Sequence, residues 1–239
     1  MGIFPSEVIG TAVLILLGDG VVAAVLLAKS KAQNSGWIVI SFGWGMAVML
    51  AVYSVGRFSG AHLNPAVTLG LASIGVTKWS DVPVYLAGEL VGAFIGAVLV
   101  FAAYSHHFAE TEDPGLKLAV FSTGPAIRNY ALNFLTEVIG TFLLLFGILA
   151  ITANKAPTAT GLVPLIIGLL VFAIGLSLGG PTGYAINPAR DLMPRIAHFI
   201  LPIPGKGTSD WSYAWVPVVA PLVGGVLGAL AYHALFPAA

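Results

Sequence analysis

The sequence predicts an all-α membrane protein of six transmembrane helices and two re-entrant half-helices, built as an inverted repeat of two three-span halves. Three observations predict it. Of 239 residues, 58% are hydrophobic and only 8% are charged, with mean hydropathy +0.95. A soluble domain carries about 25% charge, so this chain cannot cover a water-exposed surface. Six apolar runs are long enough to cross a bilayer, and the tripeptide Asn-Pro-Ala opens two shorter stretches, at Asn64-Pro65-Ala66 and Asn187-Pro188-Ala189.

A crossing helix needs about 20 mostly apolar residues. Residues 5–28, 37–56, 83–104, 133–153, 161–178 and 215–236 qualify. The first run lacks a basic leader and a small-residue cleavage site, and it reads as a retained span. Polar separators lie at 29–36, 105–132 and 154–160. The longest, 105–132, holds His106, His107, Glu110, Glu112, Asp113 and Pro114 and reads as an extramembrane loop. The two short stretches, 64–74 and 187–200, each start with Asn as N-cap and Pro at the first helical position. A helix of about 10 residues is about 15 Å long, half the hydrocarbon thickness. The chain after the last span is read as too short for a regulatory tail.

The halves repeat each other. Glu7-Val8-Ile9-Gly10-Thr11 recurs as Glu137-Val138-Ile139-Gly140-Thr141, and Leu90-Val91-Gly92 with Gly96-Ala97 recurs as Leu222-Val223-Gly224 with Gly228-Ala229. The Glu, Asn-Pro-Ala and Gly elements keep their order at offsets of 130, 123 and 132 residues. These repeats cover roughly 1–110 and 130–239 of a single channel domain, 1–239. Three spans per half make the second half enter from the opposite side, which puts a solute site near the midplane. Gly88, Gly92 and Gly96 and the pair Gly224 and Gly228 speak for close helix packing.

Non-helical backbone at membrane depth survives only when buried in protein or lining a wet cavity. Gly60-Ala61-His62-Leu63 and Gly179 to Ile186, which includes Gly183-Tyr184-Ala185, are such stretches. Their carbonyls lack helical donors and could form a ladder of acceptors along a pore. Asn64 and Asn187 would offer side-chain N–H donors where the half-helices meet, and the helix N-termini add positive potential. Such a pore suits a polar, uncharged molecule and opposes cations and excess protons. Taken singly, each Asn is equally well an ordinary cap; the symmetric pair favours the pore.

This paired pattern resembles the aquaporin and glycerol-facilitator family (major intrinsic proteins) over the whole chain. Gly60 to Thr68 and Asn187-Pro188-Ala189-Arg190-Asp191 carry the resemblance. It implies a selectivity filter of Trp44, Gly175, Tyr184 and Arg190. In it Arg190 donates to solute oxygens, and the aromatic faces of Trp44 and Tyr184 pack the CH side of a polyol. Read without the family, Trp44 is an interfacial anchor. Water-selective members are expected to carry His at the Gly175 position; glycine leaves room for a carbon-bearing solute. Asp191, Arg195, Pro217 and Val218 resemble the glycerol-facilitator branch. Tyr184 departs from the more usual Phe, and its hydroxyl should make the slot narrower or more polar. Family membership further implies that Glu7 and Glu137 bind backbone N–H groups of the re-entrant loops, that four copies assemble into a homotetramer in the lipid bilayer, and that both termini are cytoplasmic. That orientation puts only Arg57, Lys78 and Lys155 inside, so the basic residues lend it no support.

The expected function is a passive channel of the plasma membrane for glycerol, with some water. Alternatives are a water-selective pore, or a channel for dihydroxyacetone, urea or protonated lactic acid. A proton-coupled transporter would use Glu7 and Glu137 as a relay. An enzyme is the weakest reading, since the sequence offers neither a nucleophile–base set nor a metal cluster. No cofactor is expected. With zero net charge and no cysteine, nothing points to nucleic acid or thiol chemistry. His62 reads either as a hydrogen-bonded structural residue or as a pore-lining one, and His106 and His107 as loop residues. Asp19 and Glu89 lie in or near spans with no role assigned.

Overall fold

The computed structural model describes residues 1–236 and contains ten helices and no strand among them. The first half is α1 (Ile3–Leu26), α2 (Trp37–Ser59), the short α3 (Pro65–Ser73) and α4 (Val82–Glu110). After α5 (Pro114–Phe121) the second half follows as α6 (Tyr130–Ala153), the one-turn α7 (Lys155–Thr160), α8 (Val163–Leu178), α9 (Pro188–Ile200) and α10 (Trp215–Leu235). α1, α2, α4, α6 and α10 are long and apolar enough to cross a membrane. The remaining span, α8, has 16 residues, about 24 Å at 1.5 Å per residue. It is shorter than the run 161–178 because Gly161 closes α7 in the left-handed conformation first.

The neighbours of each helix follow the same plan in both halves. α1 packs on α4 and α2 as α6 packs on α10 and α8, and each half-helix leans on the last helix of the other half, α3 on α10 and α9 on α4. α2 and α8 join the halves. Missing side chains permit these approaches. A Cβ at Gly92 would lie 2.4 Å from the Val8 carbonyl, and one at Gly224 2.4 Å from the Val138 carbonyl. At the α2–α8 contact, Gly45 and Gly168 mirror each other, each Cβ position 2.6 Å from the other's carbonyl oxygen.

Both half-helices start as their caps dictate. Asn64 and Asn187 are extended, their side chains accept from Ala66 N and from Ala189 and Arg190 N, and proline follows each. The segment 105–132 differs from the expected loop. α4 continues through His106 and His107 to Glu110, and Asp113 caps α5 with Pro114 at its first position. The hydropathy that ends a span at the membrane surface does not end a helix there.

The surface is apolar, and charged groups lie inside beside an apolar core. Glu7, Asp19, Glu89, Glu137, Arg190, Asp191 and Arg195 are buried, while Phe42, Leu132, Leu135 and Leu227 are exposed. Exposed apolar area on this scale fits a lipid or subunit environment, not water.

Candidate functional site

The two re-entrant loops are built by the same bonds 123 residues apart. Gly60, Ala61 and Leu63 have positive φ (84°, 51° and 57°), and so do their counterparts Gly183, Tyr184 and Ile186 (82°, 41° and 42°). Non-glycine residues avoid this region unless the surroundings compensate. Here the compensation is a buried glutamate in each half. Glu7 accepts from His62 N (3.2 Å), Leu63 N (2.7 Å) and the Ser59 hydroxyl (2.6 Å). Glu137 accepts from Ala185 N (2.9 Å), Ile186 N (2.9 Å) and the Thr182 hydroxyl (2.6 Å). Ser59 and Thr182 escaped the sequence reading, although they share the 123-residue offset of the motifs.

The direction of the carbonyls follows from this anchoring. In a trans peptide the N–H and the preceding C=O point opposite ways. Amides of residues 62, 63, 185 and 186 turned toward glutamates turn the carbonyls of Ala61, His62, Tyr184 and Ala185 away from them. Ala61 N and Tyr184 N meet the Ser59 and Thr182 hydroxyls at 3.1 and 3.4 Å, which turns Gly60 and Gly183 likewise. These six carbonyls accept no hydrogen bond from the described residues. The next two are taken: Asn187 Nδ2 donates to Leu63 O and Asn64 Nδ2 to Ile186 O, both at 2.8 Å. Each asparagine thus caps its own half-helix through oxygen and clasps the opposite loop with one N–H, while the other N–H has no partner among the described residues.

These six residues, both asparagines, Trp44 and Arg190 line one cavity of about 460 Å³, together with aliphatic side chains that include Val48, Val52, Val67, Leu144 and Ile167. Arg190 sits with its guanidinium carbon 4.3 Å from the Trp44 ring centroid, and its Nη1 donates to Phe121 O at 3.2 Å. Nε and Nη2 make no protein hydrogen bond among the described residues. Trp44 is seated on Gly18, where a Cβ would fall 2.2 Å from the indole.

Gly175 behaves differently from the expectation. It does not line the cavity. The Tyr184 ring lies over it, and a Cβ there would be 2.7 Å from Tyr184 Cζ. The room that glycine leaves is filled by tyrosine, not kept open for solute. The Tyr184 hydroxyl is buried beside Ser41, so it is not the added pore-facing polar group that the sequence suggested. Trp37, missed in the sequence, holds this corner by donating to Gly175 O at 2.9 Å and meeting Tyr184 edge-on at 5.8 Å.

Asp191 is wholly buried. It accepts from Thr123 N and Oγ1, both at 2.7 Å, and from Arg195 Nε at 2.8 Å. Arg195 extends the tie to the Ser209 and Thr123 carbonyls. Together they fasten two loops over the Arg190 end of the cavity. His62 stacks on Tyr85 at 3.9 Å, and its Nδ1 lies 2.9 Å from Thr68 Oγ1, which donates to Glu89 at 2.6 Å. Glu89 therefore belongs to a structural network behind the first loop. His107 caps the loop after α1 through Ala28 O. Among the described residues no group of His, Asp and Glu could hold a metal.

An inverted pair of half-helices around one carbonyl-lined cavity defines a solute channel of the bilayer. Residues 2–232 match the major intrinsic protein family, and the chain belongs to it. It is similar to a probable glycerol uptake facilitator protein of Thermotoga maritima, 62% identical over 99% of this chain and 100% of that one. It is also similar to the glycerol uptake facilitator protein of Bacillus subtilis, 58% identical over 99% and 85%. The solved aquaglyceroporin of Plasmodium falciparum superposes with a TM-score of 0.83 at 33% identity, covering 96% of this chain and 94% of that one.

Proposed function

We propose that this chain is a passive plasma-membrane channel for small uncharged polar solutes, glycerol first and water also, that excludes ions and protons. The observation that carries it is the cavity itself: six loop residues whose carbonyls have no donor among the described residues line it together with aliphatic side chains and a guanidinium held over an indole. A polyol has one hydroxylated edge and one CH edge, and this lining offers a matching surface to each. Arg190 donates to the solute, Trp44 and Tyr184 pack its carbons, and Gly175 acts by seating Tyr184. Asn64 and Asn187 donate at the centre, where the N-termini of α3 and α9 raise the cost of a cation. Gly60, Ala61, His62, Gly183, Tyr184 and Ala185 supply the acceptor ladder; Glu7, Glu137 and Asp191 support it. The glycerol facilitators among its relatives favour glycerol over a water-selective pore. Family membership and this lining favour a channel over an enzyme. The repeats 1–110 and 130–239 form one channel domain. Four copies with one pore each assemble, and six crossings leave both termini on one side, the cytoplasm. The test is uptake of labelled glycerol into proteoliposomes with and without a proton gradient. Equilibration to equal concentrations at a rate indifferent to the gradient is expected; accumulation against the gradient would overturn the reading.

A further inference from the structure

Asp19, about two turns before the end of α1, is fully buried, and neither carboxylate oxygen accepts a hydrogen bond among the described residues. Glu7 and Glu137 show what a structural carboxylate looks like in this molecule: three donors each, two of them backbone amides. Asp19 has none of these. What faces it is Arg190, with Nη1 3.5 Å from Asp19 Oδ1. The other carboxylate close to Arg190, its neighbour Asp191, is engaged by Arg195 and Thr123. Gly18 and Asp19 thus back two walls of the constriction from one turn of α1, the first seating Trp44 and the second facing the guanidinium. A buried charge is tolerated when paired, and burial strengthens the field it exerts on its neighbour.

We propose that Asp19 is the counter-ion of Arg190 and a specificity-determining residue of the constriction. It holds Nη1 turned away from the solute path together with Phe121 O. It also offsets the guanidinium charge, so that the remaining N–H groups act as hydrogen-bond donors without drawing in anions. The proposal rests on the channel reading of the cavity.

The test compares wild type with Asp19→Asn and Asp19→Ala in proteoliposomes, measuring glycerol, nitrate and sodium permeability on each preparation. Both variants delete the charge, one keeping the shape and the other shrinking it, so failure of either to fold leaves the other. The expected result is a nitrate-to-glycerol permeability ratio at least tenfold above wild type with the sodium-to-glycerol ratio unchanged. An unchanged nitrate ratio overturns the proposal. So does a parallel rise of nitrate and sodium, which marks a loosened pore and not an unmasked charge. Wild type that passes no glycerol would instead overturn the channel reading, a result separable from both.

Discussion

At the scale of single residues, the proposed selectivity of the cavity turns on who fills the space at Gly175 and who binds Arg190. The tyrosine ring that lies on Gly175 cannot remain there if the position gains a side chain, because a Cβ would already sit 2.7 Å from Cζ. Gly175→His is therefore expected to push Tyr184 into the solute path. Stopped-flow light scattering should show glycerol permeability falling by tenfold or more and water permeability by much less. Arg190→Ala removes the donor and one side of the Trp44 contact, an interaction of about 0.5–2 kcal/mol. It should admit larger polyols and raise ion leak about tenfold; unchanged selectivity would remove Arg190 from the filter. The sequence brought Trp44, Gly175, Tyr184 and Arg190 together only through a family pattern. That one of them works by holding another depends on a ring orientation set by Trp37 and Ser41, which no spacing encodes.

At the scale of elements, the half-helices were legible because their chemistry is local: an asparagine cap followed by proline fixes a start wherever it occurs. The ends of helices were less so. α4 runs six residues past the expected span end at residue 104, to Glu110, since a helix leaving the bilayer keeps its hydrogen bonds while its residues turn polar. The Asp113–Pro114 start of α5 carried the same local signal as the two motifs but was hidden in a polar stretch. The loops between these elements depend on the glutamates. In Glu137→Gln the one amide oxygen can keep Thr182 and Ala185, and Ile186 N–H would face an amide N–H₂. A buried unsatisfied donor costs about 1–3 kcal/mol, so thermal unfolding in detergent should come several degrees earlier. Glycerol flux should fall with the folded fraction and remain equilibrative. Loss of proton-driven accumulation, were there any to lose, would point to a relay.

At the scale of the whole molecule, the inverted repeat was readable from three collinear matches, and the chain shows its consequence in paired hydrogen bonds 123 residues apart. The loops that roof the Arg190 end were not readable, because their ties join distant residues. Arg128 pairs with Asp210 across 82 positions. Burial pushes the Asp210 carboxyl up, but hydrogen bonds from Arg128 and Ser212 outweigh it and hold it below its ordinary value of 3.8. A lowered carboxylate stabilises the fold at pH above its ordinary value and loses that contribution as pH falls through the lowered one. Unfolding temperature measured from pH 7 to pH 3 should therefore drop at the acid end, and Asp210→Asn should flatten that part of the curve while lowering stability at pH 7. The measurement that bears most directly on the central claim is light scattering of proteoliposomes after an osmotic shock, with glycerol and then an impermeant sugar as osmolyte. Shrinkage followed by fast re-swelling in glycerol, and shrinkage alone in the sugar, is the predicted result. Fast water efflux without glycerol re-swelling would contradict it and make this a water channel.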